Sequence, residues 1–169
     1  RGAALDLGIA PDTRGLLDDE DVKALEGFGK IVSESFRNNL LASAKIQSAV
    51  TRGKDFKIAK LVDGDIKSYW ASRDNATAPV IEAKWESDQT FDLIRMREFI
   101  PLGQRIESFE VDAMVDGTWK KIANATSVGA CRIIALDSPV TTNAIRLRIT
   151  SSPVAVTLAE LGVFKKLNL

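Results

Sequence analysis

The residues best suited to chemistry lie in one short segment, residues 59 to 70, AKLVDGDIKSYW. Asp63, Asp65 and Ser68 space hard oxygen donors along it, and Gly64 lets the chain turn tightly between the two aspartates. Calcium takes roughly 6–8 oxygen ligands, many of them carboxylates and backbone carbonyls, and a loop of this kind can aim both inward. The segment is too short for an EF-hand and lacks that motif's closing glutamate. The same spacing equally suits an Asp-Gly turn closed by side-chain hydrogen bonds to its own backbone. Spacing alone leaves both readings open.

Other chemistries are narrowed by what the 169 residues contain. There is no histidine, so the commonest general base and every Ser-His or Cys-His nucleophile are excluded. A single cysteine, Cys131, rules out an internal disulfide and a cysteine metal cage. Asp18 to Asp21 read as the acidic first turn of a helix, and Glu107, Glu110 and Asp112 alternate with apolar neighbours and read as solvated. No carboxylate pair stands out for catalysis. Arg73, Asn75, Gln104, Arg105 and Arg132 fall in segments that read as loops, and their planar groups could bond sugar hydroxyls. An aromatic platform beside them is missing from this reading, because Trp70, Trp85 and Trp119 fall at core or strand positions. Lys plus Arg and Asp plus Glu both number 23, which leaves no electrostatic footprint for nucleic acid. A membrane partner is not expected either: no stretch approaches the roughly 20 apolar residues of a membrane-spanning helix.

Two kinds of element must position these groups. Val22, Leu25, Phe28, Val32 and Phe36 recur at helical spacing and predict a helix within residues 18 to 37, with Gly27 and Gly29 weakening it. Ala3 to Ile9 reads as a short strand end. Beyond about residue 45 the period shortens toward two. Strands are predicted over Val80–Trp85, Phe91–Glu98, Ile106–Val115, Trp119–Ala123, Arg132–Leu136, Ala144–Thr150 and Leu158–Lys165. Asp116 and Gly117 separate two of these runs as a hairpin turn. The expectation is an all-β antiparallel sandwich of about eight strands, preceded by a helical segment.

The series VDGDIKSYW, ESFEVDAMVDGTWKKIA, VTTNAIRLRIT and LAELGVF, in that order, resembles the discoidin-like or factor V/VIII C-type domain. Its sugar-binding members are the family 32 carbohydrate-binding modules. The resemblance implies a galactose-binding-like jelly-roll β-sandwich over residues 42–169. It also implies a structural calcium ion, with Asp63, Asp65 and Ser68 from the loop, carbonyls at Lys60 and Ala159, and Glu160 reaching across from the last strand. Sugar-binding members often use a histidine, which this chain lacks.

Residues 5 to 36, LDLGIAPDTRGLLDDEDVKALEGFGKIVSESF, are similar to the end of the catalytic domain in family 29 α-L-fucosidases. On that resemblance, residues 1–41 are the tail of a preceding catalytic barrel, and the fragment itself is not an enzyme. The implied role is an accessory module of a secreted, extracellular or periplasmic glycoside hydrolase. Its partners would be the upstream barrel of the same polypeptide and, at the loops, glycans. A clotting-factor-like module that binds phospholipid or protein is the alternative, for which Leu102, Val128 and Val154 would be the apolar loop tips.

Overall fold

The computed structural model describes residues 6–167. The helical pattern forms α1, Asp19–Ser35, capped by Asp18, whose carboxylate accepts from Glu20 N at 2.9 Å. Gly27 and Gly29 do not break it. Residues 6–9 form no strand, and residues 3–5 of the expected strand end lie outside the described residues.

Seven strands follow: β1 (Lys45–Gln47), β2 (Trp70–Ala71), β3 (Val80–Glu98), β4 (Ser108–Val115), β5 (Thr118–Ala125), β6 (Arg132–Ser151) and β7 (Thr157–Phe164). Their order is β2-β7-β3-β6-β4-β5, with β1 beside β3 and every pairing antiparallel. Two pairs of predicted strands are each fused. Val80–Trp85 and Phe91–Glu98 become β3, while Arg132–Leu136 and Ala144–Thr150 become β6. The β3–β6 pairing breaks register between Lys84 and Gln89 and again between Phe91 and Leu93. Such irregularities bend a strand and raise its twist, so β3 and β6 turn a corner together and serve both layers of the sandwich. One layer holds β1, the first half of β3, the second half of β6, β4 and β5. The other holds β2, β7 and the remaining halves.

The inward faces share one core. Ile81, Trp85, Phe109, Val111, Ile145 and Leu147 from the first layer meet Ile94, Met96, Leu158 and Val163 from the second, all buried. The hairpin between β4 and β5 is closed by Asp116 and Gly117, both at positive φ (52° and 72°), the twist that a two-residue hairpin requires. On the outside of the second layer, the last turn of α1 is fastened to the sandwich. Phe36 and Phe164 meet edge to face at 5.1 Å, and the Arg95 guanidinium lies 4.6 and 4.7 Å from the two ring centroids. Gly162 makes room for this, since a Cβ there would stand 2.5 Å from the Phe164 ring. Part of the apolar side of α1 is uncovered: Phe28 is 58% exposed and Val32 41%.

Candidate functional site

The corner leaves one side of the sandwich to be closed by loops, and that is where the sequence-selected residues gather. The loops 72–79, 99–107, 126–131 and 152–156 all join strand ends on this side. They are stitched to one another. Buried Ser72 donates from Oγ to Ala76 O at 2.7 Å and accepts from Val156 N at 2.9 Å. Arg105 donates to Leu102 O at 3.2 Å and to Ala155 O at 2.7 Å. At the centre stands Glu98, the last residue of β3 and only 3% exposed. It accepts from Arg105 N at 2.7 Å, Ile106 N at 2.9 Å and Gly129 N at 2.7 Å. Sequence reasoning missed Glu98, because a glutamate ending an apolar run looks like any solvated strand end.

Among the five expected sugar contacts, two guanidinium groups are engaged structurally. Arg73 donates to Ala49 O, and Arg105 holds two loops together. Asn75 and Gln104 are exposed. Their side chains, and that of half-buried Arg132, make no hydrogen bond among the described residues. The aromatic platform missing from the sequence reading is present at this end. Tyr69 stacks on Phe99, with centroids 4.2 Å apart and planes 16° apart, and Phe56 lies 5.2 Å from Tyr69. No periodicity announces these residues, because each comes from a different loop. Apolar tips accompany them: Ile66 is exposed, as are Ile100 and Leu102, and Lys67 lines the same depression as Ile66 and Ile100. Val128, expected as such a tip, is instead fully buried beside Gly129, which Glu98 draws inward.

The calcium set comes together only in part. Asp63 accepts from Asp65 N at 2.9 Å and from Ser68 Oγ at 2.6 Å, while Asp65 accepts from Lys67 N at 2.9 Å. The loop therefore closes on itself as successive Asx turns. Lys60 extends its ammonium to 6.0 Å from the Tyr69 ring centroid. Ala159 is a buried β7 residue beside the same depression as Ile66 and Lys67. Glu160 departs from the expectation. Its register partner is Arg97, and its carboxylate accepts from Arg95 and Arg97, each at 2.8 Å. Strand alternation directs it to the outer face with those arginines. Two guanidinium groups occupy the oxygens that a cation would need. The described residues contain no group of three acidic, histidine or cysteine side chains placed to hold a metal ion. As arranged, these residues do not fit a calcium site.

A second charged cluster covers the outside of the first layer. Asp112, 2% exposed, accepts from Arg146 and Arg148, each at 2.7 Å. Its carboxyl is held below the usual range chiefly by the Arg148 hydrogen bond, against the opposing effect of burial. Glu110 is lowered as well, chiefly by the hydrogen bond from Lys121 and further by Arg148. This reads as a ladder of cross-strand ion pairs and not as an acid–base pair, since both carboxylates are pushed the same way.

The architecture is that of a galactose-binding-like β-sandwich module with a helical lead-in. The chain belongs to the F5/8 type C domain family, whose model matches residues 43–161. Its relatives are more particular. It is 26% identical over 163 residues to α-L-fucosidase 1 of Arabidopsis thaliana, covering 94% of this chain and 32% of that protein. It superposes on a GH29 fucosidase from Ruminococcus gnavus in complex with fucose with a TM-score of 0.85 at 25% identity, covering 94% of this chain and 32% of the other. The family 32 carbohydrate-binding module of C. perfringens NanJ, in complex with galactose, shares the fold with a TM-score of 0.65 at 17% identity, covering 74% of this chain and 96% of that module. The chain thus spans about a third of the fucosidases it matches.

Proposed function

We propose that this chain is the non-catalytic accessory module of an α-L-fucosidase-like glycoside hydrolase, acting outside the cytoplasm. It would support the catalytic barrel through α1 and meet glycans at its loop end. The observation that carries this reading is the uncovered apolar side of α1. Phe28 and Val32 stay exposed, as does Leu17 just before the helix, and Leu25 lines a depression with Leu7, Ile9 and Phe28. A helix with such a stripe ordinarily buries it, and relatives about three times as long supply a domain that could cover it. Glycan contact is supported by the Tyr69–Phe99 stack and by Asn75, Gln104 and Arg132 on loops of the same end, which together offer aromatic rings and planar hydrogen-bonding groups. Retaining glycosidases need two carboxylates about 5 Å apart. Here Asp18 caps a helix, Asp63 closes a turn, and Asp112 and Glu160 are paired with arginines.

The test compares Phe28→Asp in the complete polypeptide and in this chain alone. The complete polypeptide should lose thermal stability, while this chain should melt unchanged. Equal effects in both would remove the docking role. A second reading, adhesion to phospholipid, is favoured by the exposed Ile66 and Ile100 beside Lys67, with Leu102 exposed on the same loop as Ile100. Co-sedimentation with phosphatidylserine vesicles that is lost in Ile100→Asp would select it.

A further inference from the structure

We infer that the outer face of the first layer carries a second saccharide site, centred on Trp119 and separate from the loop end. The three tryptophans differ in one respect. Trp70 donates its indole N–H to Thr51 Oγ1 at 2.9 Å and Trp85 donates to Leu40 O at 2.8 Å, both from buried positions. Trp119 is half-buried, and its N–H has no partner among the described residues. Register explains where it stands. Lys45, Lys84 and Ala144 lie in one row across β1, β3 and β6, and Met114 pairs with Trp119 across β4 and β5. Ala144 is the smallest side chain in that row, so a depression of about 310 Å³ opens between Lys84 and Trp119. That is the lower end of the size range for small-ligand sites.

The rim is built for hydroxyl groups. Gln47 donates to Glu82 at 3.3 Å, which fixes an amide and a carboxylate on one side, and Asn143 adds a second amide. The indole is fixed as well, because the Arg146 guanidinium lies 4.7 Å from its centroid and is itself held by Asp112 at 2.7 Å. A rigid ring loses little freedom on binding. Other ligand classes fit less well. A purely apolar ligand would leave the amides and charges unpaired, and a phosphate, though Lys45 and Lys84 would attract it, would face the Glu82 carboxylate and leave the Trp119 ring unused. A pyranose offers an apolar C–H face to Trp119 and a hydroxyl edge to Gln47, Glu82 and Asn143. The inference shares its ligand class with the proposed function but none of the loop-end residues.

The experiment is a ¹H–¹⁵N titration of the chain with methyl α-L-fucoside, lactose and chitotriose, following the three indole N–H peaks. Trp119→Phe assigns the peak of interest. With at least one sugar, the Trp119 peak should move in a saturable way while those of Trp70 and Trp85 stay still. Asn143→Ala and Gln47→Ala should each weaken the response about five- to tenfold, the loss expected for one hydrogen bond, and Gln104→Ala should leave it unchanged. Movement confined to loop-end amides would overturn this site while sparing the loop-end reading. No movement anywhere would overturn both. A Trp119 peak that ignores all three sugars but shifts on adding the catalytic domain would make this face a protein contact and overturn the inference.

Discussion

Replacing Glu98 should loosen the whole loop end, because one buried carboxylate ties the 99–107 loop to the 126–131 loop through three backbone N–H groups. Its two oxygens accept from the N–H groups of Arg105, Ile106 and Gly129 at 2.7–2.9 Å. Hydrogen bonds to a charged partner contribute roughly 1.5–3 kcal/mol each, and a buried N–H left alone costs about 1–3 kcal/mol. Some of the freed groups in Glu98→Ala would reach water as the loops relax, so we expect a loss of about 3–5 kcal/mol and not the full sum. A domain of this kind has roughly 5–15 kcal/mol in total. At about 2–4 °C per kcal/mol, the midpoint should fall by roughly 6–20 °C. Glu98→Gln keeps the shape but places a donor against one donor, and should fall between wild type and alanine. Hydrogen exchange should show faster amides at residues 105, 106 and 129 before the sheet opens. A loss below about 1 kcal/mol in Glu98→Ala, with those amides still protected, would refute the assignment of Glu98 as the tie between loops.

Three further outcomes follow from the ion pairs. Asp112 and Glu110 have carboxyls held low in the folded state, so their stabilisation is present above the ordinary carboxylate pKa and is lost as pH falls through the lowered folded values. Thermal melts should weaken below about pH 4, and Asp112→Asn should flatten that acid dependence while costing about 1–3 kcal/mol near neutrality. An unchanged acid profile in Asp112→Asn would argue against the ladder. Arg95→Ala removes the cation between Phe36 and Phe164, so limited proteolysis should release the segment preceding Asn39 faster, and equal rates would show that α1 is held elsewhere. Because Arg95 and Arg97 occupy Glu160, excess calcium or chelator should leave the melting curve in place. A calcium-dependent rise that Asp63→Ala abolishes would mean that Glu160 releases its arginines for the ion.

The β-period of residues 80 to 165, the capped acidic start of α1 and the Asp116-Gly117 turn were legible in the sequence because each is a local property of the chain. Alternation, capping and positive φ need only near neighbours to show themselves. That β3 and β6 each run through both layers was not legible, since a corner between two strand-like runs depends on the partner strand bending with it. The site divided in the same way. The loop around Asp63 formed a closed turn from its own residues, as its spacing allowed. The neighbours of Glu160 were decided by β7 register against Arg95 and Arg97, more than sixty residues away in sequence. The meeting of Tyr69 with Phe99, and of Glu98 with Gly129, likewise exists only once strand ends from distant parts of the chain are brought to one side of the sandwich. Side-chain type and local spacing fix what a residue can do; which partner it does it with is set by pairing across the sheet.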